Sequence, residues 1–163
     1  MKIYTDGSYR KSVNSKVCGY AAIFITNVTD NRILYDVLYG IKRDEEIVKY
    51  WNVGGEIVAA AQAIEYATNH YSDREIHIYH DYLGIGMWAN GKWKTNNEVT
   101  RWYKDYVRKV RDEGYNIIFH HVKGHSGDKL NEMADFYACK KIQSSYPKDF
   151  EDSEILLNQT IFL

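Results

Sequence analysis

Three strand-like runs open this chain, joined by connections too short for a crossover, and that constrains the fold more than any other feature. Lys2–Tyr9 (KIYTDGSY), Cys18–Thr26 (CGYAAIFIT) and Arg32–Ile41 (RILYDVLYGI) are rich in Ile, Val, Tyr and Phe, which suit a pleated, half-buried surface. The polar stretches between them, Lys11–Lys16 and Asn27–Asn31, have turn chemistry. A parallel crossover takes roughly a dozen residues or more, so the three runs are expected to pair antiparallel.

The period then changes. Ile57, Ala60, Ala61, Ile64 and Ala67 recur at helical spacing, which predicts a helix from about Gly55 to Tyr71. A short strand, Glu75–Asp81, is followed by an apolar stretch, Tyr82–Trp88, read as helical. Val99, Trp102, Tyr103, Tyr106, Val107 and Val110 form an apolar stripe and predict a helix over Asn97–Glu113. Asn116–Lys123 reads as a strand. The last helix is expected from about Asp128 to Ser144, with Leu130, Met133, Ala134, Tyr137, Ala138 and Ile142 inward, and Pro147 marking its end. Three strands followed by alternating helices and strands predict one mixed α/β sheet layered with helices. The expected division is a single domain over 1–145 and a tail over 146–163. That tail is acidic and then apolar (ILLNQTIFL), and adding a strand, docking on the body and self-association all remain open for it.

A chain of 163 residues, 45% apolar and 26% charged, has the composition of one globular domain. No apolar run approaches the roughly 20 residues that span a bilayer, and Met1-Lys2-Ile3 runs directly into a strand rather than into a secretion signal. Cys18 and Cys139 lack metal-ligand spacing, so two reduced thiols in a cytoplasmic protein are expected. The net charge of −1 does not point to a polyanion, but its distribution does. Lys92, Lys94, Arg101, Lys104, Arg108, Lys109 and Arg111 face only Glu98 and Asp105 within residues 92–111, a basic segment in a slightly acidic chain.

Several carboxylates sit where structure alone would not put them. Asp6 interrupts Ile3-Tyr4-Thr5, and aspartate is depleted in strands and costly to bury. Asp81 ends an apolar strand, although a helix N-cap would also suit it. Glu56 opens the first predicted helix behind Gly54-Gly55, a pair that lets another group come close; a first-turn acid favoured by the helix dipole is the alternative. Asp135, at 100° per residue, lies on the margin of the last helix's apolar face, one turn after Asn131, whereas Glu132 points to solvent and Asp128 suits a cap. Four carboxylates without a Cys or His cluster favour hard cations such as Mg²⁺ or Mn²⁺. Two such ions about 3.5–4 Å apart can activate a water and stabilise the leaving oxygen of a phosphoryl displacement. There is no phosphate-binding loop of the Walker type, and Gly124-His125-Ser126-Gly127 lacks the frame of a nucleophile elbow.

Taken in order, Tyr4-Thr5-Asp6-Gly7-Ser8, Gly55-Glu56-Ile57-Val58-Ala59-Ala60, Tyr79-His80-Asp81 and Val122–Gly127 continuing through Asn131-Glu132-Met133-Ala134-Asp135 resemble ribonuclease H of the type 1 family. The resemblance covers roughly residues 2–142. It implies a ribonuclease H-like fold with a five-stranded mixed sheet, and an endonuclease that cleaves the RNA strand of RNA–DNA hybrids. It further implies two Mg²⁺ ions, or Mn²⁺, held by Asp6, Glu56, Asp81 and Asp135, with 5′-phosphate and 3′-hydroxyl products. His125, in a glycine-flanked loop, takes the place of the family's loop histidine, which assists proton transfer or product departure. His120 and His121 are read as strand residues, one inward and one outward. Trp88, Lys92, Trp93, Lys94 and Thr95 resemble the region that grips the DNA strand. Asn52 and the backbone near Glu56 are the candidates for reading RNA 2′-hydroxyls.

The chain departs from the family in four places. Arg10–Lys16 replaces the usual glycine- and proline-rich turn, Asn52-Val53-Gly54 replaces paired asparagines, Tyr82 replaces a serine, and the basic handle of many bacterial members shrinks to Ala89-Asn90-Gly91. A monomer acting on hybrid duplex, with no membrane partner, is expected. The rivals are a catalytically silent hybrid- or RNA-binding module on the same fold and a DNA nuclease of related fold, such as a transposase or junction resolvase.

Overall fold

The computed structural model describes residues 1–12, 15–141 and 153–163. The elements run β1 (Lys2–Ser12), β2 (Ser15–Val28), β3 (Arg32–Lys42), α1 (Glu45–Val48), α2 (Trp51–His70), β4 (Glu75–His80), α3 (Gly84–Ala89), α4 (Glu98–Asp112), β5 (Asn116–His121), α5 (Lys129–Lys140) and β6 (Glu154–Phe162). They build one sheet in the order β5-β4-β1-β2-β3-β6. The first three strands pair antiparallel, as their short connections require, and β4 and β5 join β1 in parallel.

The sheet has six strands rather than five. The added strand comes from the end of the tail: β6 pairs antiparallel with β3, from Arg32↔Phe162 to Tyr39↔Glu154. A register shift between Tyr35 and Val37 interrupts this ladder, and the buried Asp36 occupies it. Its carboxylate accepts the Asn158 N–H at 2.9 Å and the Tyr71 hydroxyl. Ile142 and Pro147 lie outside the described residues, so the expected end of the last helix does too.

Strand alternation divides the interior. Tyr20, Ala22 and Phe24 of β2 point to the face covered by α2, α3 and α4, where they meet Ile57, Ala60, Ile64, Val99, Tyr103 and Val107. Ala21 and Ile23 point the other way, onto Ala134 and Ala138 of α5. Small residues let α2 lie close: a Cβ added at Gly7 would stand 2.1 Å from Glu56 N. Among the described residues, no helix is long and apolar enough to cross a membrane.

Three local readings change. The first long helix begins at Trp51, so Glu56 lies in its second turn rather than opening it. The Gly54-Gly55 pair therefore serves close packing, with an added Cβ on Gly55 only 2.7 Å from Ser8 O. Trp102 leaves the apolar stripe of α4: it is 53% exposed and stacks on Tyr106 at the stripe's border. Arg111, counted in the basic segment, turns inward to donate to Ile117 O at 2.6 Å and Asn90 Oδ1 at 2.9 Å. A half-buried guanidinium thus ties α4 to β5 instead of facing solvent.

Candidate active site

Asp6 projects from the middle of β1 and Glu56 from the second turn of α2; both are only 4% exposed. Asp81 follows directly on β4 and is half-buried. One carboxylate oxygen from each lies within 4.8 Å of the others. The close approach at Gly7 makes this possible, because any side chain there would push α2 and its Glu56 away from β1. Asp135 sits half-buried in the second turn of α5, on the margin its spacing predicts, and interacts with Asp6.

The electrostatics of this cluster are unfavourable without a counter-charge. Burial above all, then the charges of Asp81 and Asp135, pushes Asp6 up to about 7, against a lowering hydrogen bond with Glu56. Burial, followed by the negative charge of Asp6 and Asp81, raises Glu56 well above the usual carboxylate range; the Gly7 backbone opposes it. Glu56 Oε2 is buried without a hydrogen-bond partner among the described residues. Converging anions with an unsatisfied buried oxygen fit a divalent cation with oxygen preference.

The surroundings hold the cluster in place. His80 is buried before Asp81, its Nδ1 2.9 Å from Tyr82 O and its ring edge-on to Phe119. Burial lowers its pKa to about 4, so the ring is a neutral donor to that carbonyl. His121 Nε2 lies 3.0 Å from Asp81 O. His121 is exposed, whereas His120 is half-buried and stacks with Tyr79. The loop after β5 rests on Asp81, since a Cβ added at Gly124 would stand 3.3 Å from Asp81 Oδ2. His125 follows, exposed and with a left-handed φ of 54°.

The remaining expected contacts lie in the first turn of α2 and in α3 with the segment that follows it. Asn52 is exposed one turn before Glu56. Trp88 is half-buried against Trp93 in an edge-to-face pair, and both Lys92 N and Trp93 N bond to Met87 O. Lys92, Trp93 and Lys94 are exposed and Thr95 is half-buried. Sequence reasoning missed Trp51, which is 64% exposed with φ 57°. Such a conformation costs a non-glycine residue on the order of 1–3 kcal/mol, and no local pattern announces it.

The RNase H family model matches residues 1–143. The chain belongs to the RNase H family. A relative in Francisella tularensis subsp. novicida, named Ribonuclease H, is 32% identical over 148 residues, covering 85% of this chain and 88% of its own. The fold is shared with LC11-RNase H1, solved in complex with RNA/DNA hybrid, at a TM-score of 0.62 and 19% identity over 86% of this chain and 98% of that one. It is shared too with RNase H1 of the halophilic archaeon Halobacterium salinarum, at a TM-score of 0.59 and 16% identity over 91% and 98%. β6 lies beyond the residues that the family model matches.

Proposed function

We propose that this RNase H family member is an endonuclease that hydrolyses the RNA strand of RNA–DNA hybrids, leaving 5′-phosphate and 3′-hydroxyl ends. The observation that carries the reading is the convergence of Asp6, Glu56 and Asp81 within 4.8 Å, from three different elements, with Glu56 Oε2 unsatisfied. Asp6, Glu56, Asp81 and Asp135 would hold two divalent cations, Mg²⁺ or Mn²⁺. Bound there, the ions would activate a water and stabilise the departing oxygen.

The chain's own groups do the rest. Asp6 and Glu56 stay rigid because β1 and α2 touch backbone to backbone. His125, on a loop seated against Asp81, can take or give a proton at the leaving side of the cut or ease product departure. Asn52 offers an amide to the minor groove, where the 2′-hydroxyl distinguishes RNA from DNA. Trp88 and Trp93 offer ring faces to the DNA strand, while Lys92, Lys94 and Thr95 meet phosphate. LC11-RNase H1 in complex with RNA/DNA hybrid supports the choice of substrate. A cytoplasmic monomer completes the proposal, and the two free cysteines suit a reducing compartment.

The test is cleavage of an end-labelled hybrid with Mg²⁺, Mn²⁺ or EDTA, for wild type beside Asp6→Asn. Metal-dependent cutting of the RNA strand alone, lost in a folded Asp6→Asn variant, is expected. Equal cutting of duplex DNA, or an Asp6→Asn variant with more than a tenth of wild-type activity, would refute the reading.

A further inference from the structure

Ser8 follows Asp6 by two residues on β1, so both side chains lie on the face of the sheet that α5 covers. Its hydroxyl donates to Ala138 O at 2.6 Å and is hydrogen-bonded to the Cys139 thiol. Ala138 O is one of the last four carbonyls of α5, which a helix leaves without a partner of its own. β1 supplies that partner from 130 residues away. Gly19, opposite Ser8 on β2, makes the room: a Cβ there would run into both Ala138 O and Ser8 Oγ.

Asp135 precedes Ala138 and Cys139 by three and four residues, so the three share one face of α5. Two polar contacts between the same strand and the same helix therefore stand side by side. Ser8 with Ala138 and Cys139 is attractive. Asp6 with Asp135 is repulsive, since the charge of Asp135 raises the Asp6 pKa. The apolar contacts beneath α5, Ala134 and Ala138 with Ala21 and Ile23, are non-directional. The hydroxyl, by contrast, fixes one carbonyl at one place.

Resting on the two-cation nuclease reading, we infer that Ser8 is a positioning residue for Asp135. Its hydroxyl sets the height of α5 along β1 and keeps the Asp135 carboxylate turned toward Asp6 and the metal site. It touches neither substrate nor metal and acts through the helix alone. Hydrogen bonds behind a metal site hold the ligands in orientation, and losing one typically costs about ten- to a hundredfold in metal affinity or activity.

Metal binding separates this role from a structural one. Mn²⁺ affinity, measured by isothermal titration calorimetry on the protein without nucleic acid, reads the placing of the carboxylates with no catalysis involved. Ser8→Ala is expected to weaken Mn²⁺ binding about tenfold. In an Asp135→Asn background the same substitution should change it by less than about twofold, because a residue that acts through Asp135 then has nothing to act on. Val107→Ala truncates the core under α4, away from α5. It should lower the Tm at least as much as Ser8→Ala and leave Mn²⁺ affinity within about twofold. On hybrid with saturating Mg²⁺, Ser8→Ala should lower kcat about tenfold and leave KM within about twofold. A Ser8→Ala protein that binds Mn²⁺ as tightly as wild type, a loss that persists in full without Asp135, or an equal loss in Val107→Ala would each overturn the inference. A protein that shows the expected Mn²⁺ pattern but cuts no hybrid keeps Ser8 in its role and overturns the nuclease reading. One that cuts hybrid while Ser8→Ala binds Mn²⁺ like wild type does the reverse.

Discussion

Gly7→Ala adds one methyl group where β1 and α2 touch backbone to backbone. The new Cβ would stand 2.1 Å from Glu56 N, 2.1 Å from Gly55 C and 2.6 Å from Gly55 O. All three are backbone atoms, so no side chain can swing aside. Ordinary contact begins at 3.4 Å, which requires a displacement of about 1.3 Å from the 2.1 Å contacts. β1 is pinned between β2 and β4 by ladders on both sides, so α2 must recede. That loosens Ile57, Ala60, Ala63 and Ile64 from the core. Overpacking of this kind costs typically 1–3 kcal/mol, and a clash with rigid backbone belongs at the upper end. For a domain of this size the Tm should fall by about 6–12 °C. Glu56 moves away from Asp6 with the helix, and a misplacement of about 1 Å in a catalytic constellation can cost about a hundredfold in rate. Gly55→Ala has a nearest contact of 2.7 Å, to Ser8 O, and should do roughly half the thermal damage. Circular-dichroism melts, together with kcat on hybrid well below both transitions, decide the matter. A Gly7→Ala protein with an unchanged Tm and kcat within threefold would refute the packing argument.

Other outcomes follow from the same contacts. Asp6 and Glu56 have raised pKa values in the folded protein, so the folded state holds protons that the unfolded chain has released. Metal-free stability should therefore be highest near pH 4 with respect to these groups and decline as the pH rises through about 7. Added Mg²⁺ should recover it at pH 8; melts in EDTA that show no loss between pH 5 and 8 would count against this. His125→Ala should slow turnover by about ten- to a hundredfold, far less than Asp6→Asn, because it removes proton transfer and leaves the carboxylates in place. Equal loss in side-by-side kinetics would deny it an auxiliary role. Ending the chain at residue 152 removes β6, bares the β3 edge and strips Asp36 of the Asn158 N–H. The Tm should drop by several degrees, because the β3–β6 ladder is lost and, although Tyr71 still donates to Asp36, a hydrogen bond to a charged group worth about 1.5–3 kcal/mol goes with it. Light scattering should show association through the bared edge, and a truncated protein as stable as the full chain would show β6 to be dispensable.

Local physics in the sequence determined the plan of the fold. Connections such as Asn27–Asn31 cannot carry a crossover, and helical periodicity after residue 55 cannot sit in a strand, so an antiparallel start followed by alternating helices and strands was legible. So was the oddity of Asp6, because a carboxylate amid strand formers lacks a local use. The margin position of Asp135 was legible too, because helix geometry sets side-chain direction. What only the tertiary structure decided rests on contacts between residues distant in the chain, which no window of sequence contains. Gly7 meeting Gly55 brought Glu56 against β1, where it joins Asp6. Asp36 meeting Asn158 made the tail a sixth strand, where alternation alone left three outcomes. Arg111 meeting Ile117 removed a cation from the basic face. The left-handed turn at Trp51, held by Cys18 thirty-three residues away, left a tryptophan facing solvent at the start of the helix that carries Glu56. Periodicity records which side of an element is apolar; it cannot record which distant backbone will come close enough to exclude a methyl group.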